Sequence, residues 1–283
     1  MRRPIAYFGF AFLLACAKPD TSNIDNLNDG RIDVLGHAGM GVESPFQHLP
    51  INSLTSLEQA IAATGADGIE IDAQLSMDDH MIAFHEQDLN YTTNCSGCIP
   101  ELSLSEIIDC QYVTNHNGGS FSLTTISHMV NGYADHSSKP IMFIDCKTAL
   151  QCIPQSEIAS YSERFAAALV DLIQTNDRIS NVWVDLQGHE LAIALKQMAP
   201  DIRVYWFASD PDRDIEEAVL LGLDGITVDS NRITKEQIKN AHDAGLLVSL
   251  YDVSDIFSTR EAIDKHPDHL ITDNISVALD LLY

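Results

Sequence analysis

Gly68-Ile69-Glu70-Ile71-Asp72-Ala73-Gln74-Leu75 is the stretch on which the reading of this chain turns. Its β-branched residues favour an extended backbone, in which residues two apart face the same side. Ile69, Ile71 and Ala73 then share one face and pack outward on helices. Glu70 and Asp72 share the other. Two carboxylates on one inward face repel, at several kcal/mol in order of magnitude, unless a cation neutralises them. A strand of this kind belongs to a sheet whose outer face is covered and whose inner face ends in a polar mouth.

Working outward, similar short apolar runs recur at 33–39, 140–147, 181–187, 202–209, 225–229, 247–253 and 269–273, making eight with 68–75. Between them, 53–64, 157–175, 189–198, 212–221, 235–244 and 259–265 carry apolar residues at helical spacing, as in Phe165, Leu169, Leu172 and Ile173. Strands alternating with helices imply a parallel sheet covered by helices. Eight repeats point to a closed α/β barrel, a (β/α)8 TIM barrel, over residues 31–283. The one misfit runs from about 87 to 139, with a single plausible helix at 103–110 and a polar His/Asn/Gly-rich part at 115–120. It reads as an inserted segment after the second strand, of the kind that sits over a site.

The composition agrees with that fold. The chain has 283 residues, 45% hydrophobic and 20% charged, which excludes wholesale disorder, collagen and coiled coil. The net charge of −25 repels polyphosphate, so no nucleic-acid partner is expected. The N-terminus is a separate unit. Met1-Arg2-Arg3 and the apolar run to Leu14 are too short to span a bilayer, and the run closes in Leu13-Leu14-Ala15-Cys16. This looks like a bacterial lipobox, with residues 1–16 as a lipoprotein signal peptide and Cys16 as the lipidated residue. The polar segment 17–30 then reads as a flexible tether. The expected location is the bacterial cell envelope, with the protein lipid-anchored to a membrane on the periplasmic side or at the outer membrane or surface. Ala17 lacks the Asp of inner-membrane retention, which favours the outer membrane.

Five further cysteines remain: Cys95, Cys98, Cys110, Cys146 and Cys152. Export permits disulfides, and an odd number leaves at least one unpaired or paired outside the chain. Cys95-Ser-Gly-Cys98 has no second Cys/His pair at zinc spacing, so a local disulfide involving Cys95, Cys98 or Cys110 is the better expectation. Cys146 and Cys152 could also pair.

Barrels build their sites where strands end. The polar residues there are His37, Glu70 with Asp72, His85, Asp145 with Lys147, Asp185, Ser209, Asp229, Tyr251 and Asp273. Glu70 and Asp72 suit a hard divalent ion, Mg2+ or Ca2+. Asp145-Cys146-Lys147 repeats the two-apart logic on the next barrel strand, adding a third carboxylate and an ammonium. Metal and lysine together are what a phosphate needs. His37 and His85 could divide general base and general acid work, or serve as metal ligands, although the carboxylate-rich setting favours a hard cation.

Gly36-His37-Ala38-Gly39, Asn52-Ser53, Gly65 to Leu75, Asp78-Asp79, Phe84-His85-Glu86 and Ile271-Thr272-Asp273-Asn274 together resemble the glycerophosphodiester phosphodiesterases. The resemblance is dense over about 33–93 and thinner over 140–147 and 225–280. It implies a TIM barrel with one divalent metal ion that hydrolyses a small glycerophosphodiester substrate to an alcohol and glycerol 3-phosphate. By position, His37 and His85 would be the acid/base pair. Glu70, Asp72 and Asp145 would hold the metal, and Lys147, Asn52 and Tyr251 would contact substrate. The chain departs from the family at Ala38, where an Arg would contact phosphate, at Asp145, where a Glu is usual, at Ile51 and Ser53, and at Tyr251, where a Trp is usual. Two other readings stay open: a phospholipase-type lyase that stops at a cyclic phosphate, and a lipid-anchored binding protein on a decayed barrel, which Ala38 favours.

Overall fold

A computed structural model describes residues 18–42, 49–62, 64–113, 120–133, 139–176 and 181–283. The signal segment and Cys16 lie outside them, as does nearly all of the polar stretch 115–120. Nine strands form: β1 (Asp33–Gly36), β2 (Gly68–Leu75), β3 (Met81–Ala83), β4 (Ile141–Cys146), β5 (Val182–Leu186), β6 (Arg203–Ala208), β7 (Gly225–Asp229), β8 (Leu247–Val253) and β9 (His269–Thr272). Eight of these run parallel in the order β1-β9-β8-β7-β6-β5-β4-β2, and β1 pairs again with β2, closing the barrel. β3 is the exception. It pairs antiparallel with the end of β2, Ala73 opposite Ala83.

The helices α1 (Leu54–Ala62), α3 (Ile126–Gly132), α4 (Ile158–Thr175), α5 (His189–Met198), α6 (Pro211–Leu220), α7 (Lys235–Asp243), α8 (Ile256–Asp264) and α9 (Ile275–Leu282) follow strands, while α2 (Leu104–Ile107) lies between β3 and α3. Their starts are written locally. Thr234 and Gln237 make a reciprocal capping box on α7, and the Asp255 carboxylate accepts from Phe257 N and Ser258 N at the start of α8. α4 buries its predicted stripe, Phe165, Leu169, Leu172 and Ile173, together with Tyr161, against the outer faces of the strands. No helix among the described residues is long and apolar enough to cross a membrane.

Inside the barrel, Leu35, Phe143, Trp183, Tyr205 and Ile271 make a separate apolar floor. Phe143 and Tyr205 meet edge to face at 4.9 Å. Gly225 makes room for this floor, because a Cβ there would stand 2.4 Å from the Tyr205 ring. Filling the lower barrel forces the polar strand ends into one layer at the mouth.

Four local expectations change. Strand β1 stops at Gly36, not at residue 39, because Ala38 (φ 45°) and Gly39 (φ 101°) turn the chain over the mouth. The stretch read as a flexible tether is tied to the barrel from Asp25 onward: Asn26 Nδ2 donates to Arg31 O and Pro267 O, and Leu27 N to the buried Asp268 Oδ1 at 2.8 Å. The inserted segment holds α3 as well as the single helix expected there, and its Ile126, Met129 and Val130 belong to the same core as the barrel strands. Finally, Cys95 pairs with Cys110 and Cys98 with Cys152, leaving Cys146 free and buried. Cys146 lies with Ile144 on the outward face of β4, under the helices, while Cys152 is taken by Cys98. The Cys98–Cys152 bridge instead ties the inserted segment to the loop that leaves Lys147.

Candidate active site

β2 and β4 pair with Asp72 opposite Asp145, so the two-apart pattern on each strand becomes one cluster at the mouth. Ligand oxygens of Glu70, Asp72 and Asp145 all lie within 4.8 Å of one another. Lys147 reaches back across them, its Nζ 2.8 Å from Asp72 Oδ1 and 2.5 Å from Asp145 Oδ2. Asn52 (φ 57°) clamps Asp72 twice, its Nδ2 donating to Oδ2 at 2.7 Å and its Oδ1 accepting from the Asp72 N–H at 3.1 Å. Ala38 N donates to Glu70 Oε2 at 2.9 Å.

The charges are poorly balanced, and the shifts say where. Burial, then the neighbouring Asp72, pushes the Glu70 carboxyl up to about 8. Burial raises Asp145 as well, against the pull of Lys147. Asp72 goes the other way. Burial opposes its charge, but Lys147, His85 and Asn52 outweigh it and hold the carboxyl below its usual range. Lys147 loses by burial and gains more from Asp145 and Asp72, so it stays an ammonium. A cavity of about 210 Å³ opens beside Asp145 and Lys147, lined also by Gln87, Thr148 and Gln187.

The two histidines flank this cluster. His37 follows β1, and its Nδ1 meets Asp273 Oδ1 at 2.8 Å, leaving Nε2 to the mouth. Asp273 is itself buried and accepts from Val42 N at 2.7 Å, so it is fixed from two sides. Burial disfavours the His37 charge, yet the Asp273 hydrogen bond, Glu70, the Asp273 charge and Asp72 raise it to about 9. His85 is carried by the β2–β3 hairpin, where Phe84 N donates to Asp72 O at 3.1 Å. It is exposed and stands near enough to pull down Asp72.

Tyr251 lies on the opposite wall, half-buried at the end of β8 and stacked on Phe207 at 5.4 Å. Every residue singled out as catalytic, metal-holding or substrate-contacting within the described part is therefore at the mouth. Ala38 is fully buried and offers no cation there. Two residues had been noted at strand ends without a role of their own. Asp273 is the partner of His37. Asp185, on β5 opposite Asp145, is a further buried carboxyl raised well above its usual value, by burial first and then by Asp145.

The family model described as "Glycerophosphoryl diester phosphodiesterase family" matches residues 37–277. A curated glycerophosphodiester phosphodiesterase of Caldanaerobacter subterraneus subsp. tengcongensis is 36% identical over 74 residues, 26% of this chain and 28% of that protein. The chain thus matches well under half the length of that relative. Among solved structures, a putative glycerophosphoryl diester phosphodiesterase from Silicibacter pomeroyi superposes with a TM-score of 0.76 at 17% identity, covering 89% of this chain and 93% of the other. A phosphodiesterase from Oleispira antarctica in complex with the product sn-glycerol-3-phosphate gives 0.71 at 18% identity, covering 88% and 96%. At such identities the structures speak for the fold.

Proposed function

The chain belongs to the glycerophosphoryl diester phosphodiesterase family, and from that premise we propose that it hydrolyses glycerophosphodiesters to an alcohol and glycerol 3-phosphate at the barrel mouth. The observation that carries this reading is the clustering of Glu70, Asp72 and Asp145 around Lys147, with His37 and His85 on either side. The donor set fits a hard divalent cation such as Mg2+ or Ca2+. All three candidate ligands are carboxylates, and Glu70, held at about 8, is a buried acid that protein groups alone do not keep ionised at neutral pH. Glu70, Asp72 and Asp145 would hold the ion, which when bound polarises a phosphoryl oxygen and offsets the charge of the diester.

The rest is the work of this chain's own groups. Lys147 supplies a fixed positive charge for a phosphate oxygen, held ready between two acids. Asn52 orients Asp72. His37 presents Nε2 to the mouth while Asp273 fixes the ring through Nδ1. Two of the charges that raise His37, Glu70 and Asp72, are the candidate ligands. With a cation held there, His37 would come down toward the range in which it takes a proton from the attacking oxygen, either water or the substrate's 2-hydroxyl. His85, exposed at the rim, then gives a proton to the leaving alcohol. Alanine at either histidine is expected to lower kcat by roughly 10²–10⁴-fold.

Phosphorus NMR of the products of glycerophosphocholine tests the reaction. Glycerol 3-phosphate with no lasting cyclic species is the expected result. A persistent cyclic phosphate would make the enzyme a lyase, and no turnover by folded protein would leave a binding protein. From the Leu13-Leu14-Ala15-Cys16 lipobox we propose separately that the protein is held at a bacterial membrane by a lipid on Cys16. Radiolabelled palmitate incorporated by the wild type and not by Cys16→Ser checks this.

A further inference from the structure

The half of the mouth away from the metal cluster is built from β6 to β8, with β5 at its near edge, and the proton transfers just described do not use it. Strand parity brings Asp185, Phe207, Asp229 and Tyr251 to the inner face, because Trp183, Tyr205, Thr227 and Ser249 two residues earlier on the same strands are buried inside the barrel. Phe207 and Tyr251 lie nearly parallel, 24° between planes and 5.4 Å between centroids, and both are half-buried. An aromatic pair half open at a site mouth is a surface for something flat or apolar.

Its charge is selective. Asp229 is paired directly beside Tyr251 in the β7–β8 ladder, and Asp252 follows Tyr251 in sequence. Asn231 Nδ2 bridges these acids, donating to Asp229 Oδ1 at 3.1 Å and Asp252 Oδ2 at 2.7 Å. Arg232 opposes them, 3.4 Å from Asp229 Oδ2. Asp185 stands beside Asp145 at the near edge of this wall; its buried Oδ1 has no hydrogen-bond partner, and burial holds its carboxyl well above the usual range, so it adds no charge. The Tyr251 phenol is pushed up to about 12 by burial and then by Asp229, with Asp252 adding and Arg232 opposing, so it feels all three groups. Asp229 and Asp252 against one arginine leave the wall anionic.

Aromatic faces backed by carboxylates are attracted to cations, most of all to bulky, weakly hydrated ones. We propose that this wall is a subsite for a cationic alcohol, a trimethylammonium or ammonium head group, so that the protein prefers choline and ethanolamine diesters over diesters of neutral polyols. This rests on the phosphodiesterase reading for the phosphate and goes beyond it for the head group. The phosphate sits at Lys147 on one wall and the cation on Phe207 and Tyr251 on the other.

The test has two arms. In the first, kcat/KM is measured for glycerophosphocholine, glycerophosphoethanolamine and glycerophosphoglycerol with wild type, Phe207→Leu and Asp229→Asn. A preference of about 10-fold for choline over glycerol is expected from a partly exposed cation–π contact. It should fall toward one in both variants through KM, and Phe207→Tyr should keep it. Equal kcat/KM for all three diesters in the wild type overturns the subsite while leaving the phosphodiesterase standing. In the second arm, choline chloride is titrated into the protein in a calorimeter. Choline has no phosphate, so its binding does not depend on the activity. Binding that Asp229→Asn weakens supports the subsite even if no diester is cleaved, and no heat at tens of millimolar choline overturns it.

Discussion

Replacing Asp273 by Asn keeps an oxygen for the His37 ring and for Val42 N, removes the charge and turns the second carboxylate oxygen into an amide NH2. The structure gives the size of the effect. His37 is raised from 6.5 to about 9, and at about 1.4 kcal/mol per unit that is about 3 kcal/mol in favour of the imidazolium. The hydrogen bond to Asp273 is the largest of the raising contributions, and the Asp273 charge adds to it behind Glu70. Asp273→Asn should therefore lower the His37 value by about 1–2 units in metal-free protein. Proton–carbon NMR of the His37 Cε1–H between pH 5 and 11 reads this directly. The sign also fixes a stability effect. Because the folded value lies above the unfolded one, the His37 contribution is fully present below pH 6.5 and is lost as pH rises through 9. The variant should show a smaller loss across that window in urea melts. A His37 value unmoved by the substitution would refute the assignment of Asp273 as the group that sets this histidine.

Two further outcomes follow from other contacts. Glu70 is also raised, from 4.5 to about 8, so its contribution is present below 4.5 and lost as pH rises through 8. Chelator-treated protein should accordingly be less stable at pH 9 than at pH 5 by a few kcal/mol, and a divalent ion should remove most of the difference; urea melts at the two pH values, with and without Mg2+, check it. Cys98→Ser with Cys152→Ser opens a link between residues 54 apart, for which chain entropy sets a loss of up to about 4 kcal/mol. The melting temperature should fall by several degrees while Cys95–Cys110 stays intact, as a thiol count will show.

The barrel was legible because each strand is a short apolar run with polar residues at its end, and eight of these survive folding nearly as read. β3 was not, since three residues of Met81-Ile82-Ala83 carry no period and are strand only because Ala83 faces Ala73 across the hairpin. α3 escaped notice because Ile126–Gly132 is short and ends in Asn and Gly, although Thr125 caps it through His128 N. α9 had a signal that could have been read: Asn274 before an apolar run is an N-cap, and it accepts from Val277 N. For the site, Glu70, Asp72, Asp145 and Lys147 were readable from two-apart spacing, because strand geometry converts it into a shared face. The role of Asp273 was not, since its meeting with His37 spans 236 positions and depends on the turn at Ala38. Disulfide pairing was equally unreadable. Cys95 and Cys98 sit three apart and yet go to different partners, because the fold of the inserted segment decides which thiols meet.

The central claim is that the three clustered carboxylates hold a cation on which diester cleavage depends. It is tested most directly by glycerol-phosphate release from glycerophosphocholine in EDTA, after Mg2+ or Ca2+ is restored, and in Glu70→Gln. The account predicts no release in EDTA, recovery with one of the two ions, and a loss of at least ~10²-fold in the variant with either ion. Undiminished release by folded protein in EDTA, with Glu70→Gln as active as the wild type, would contradict it.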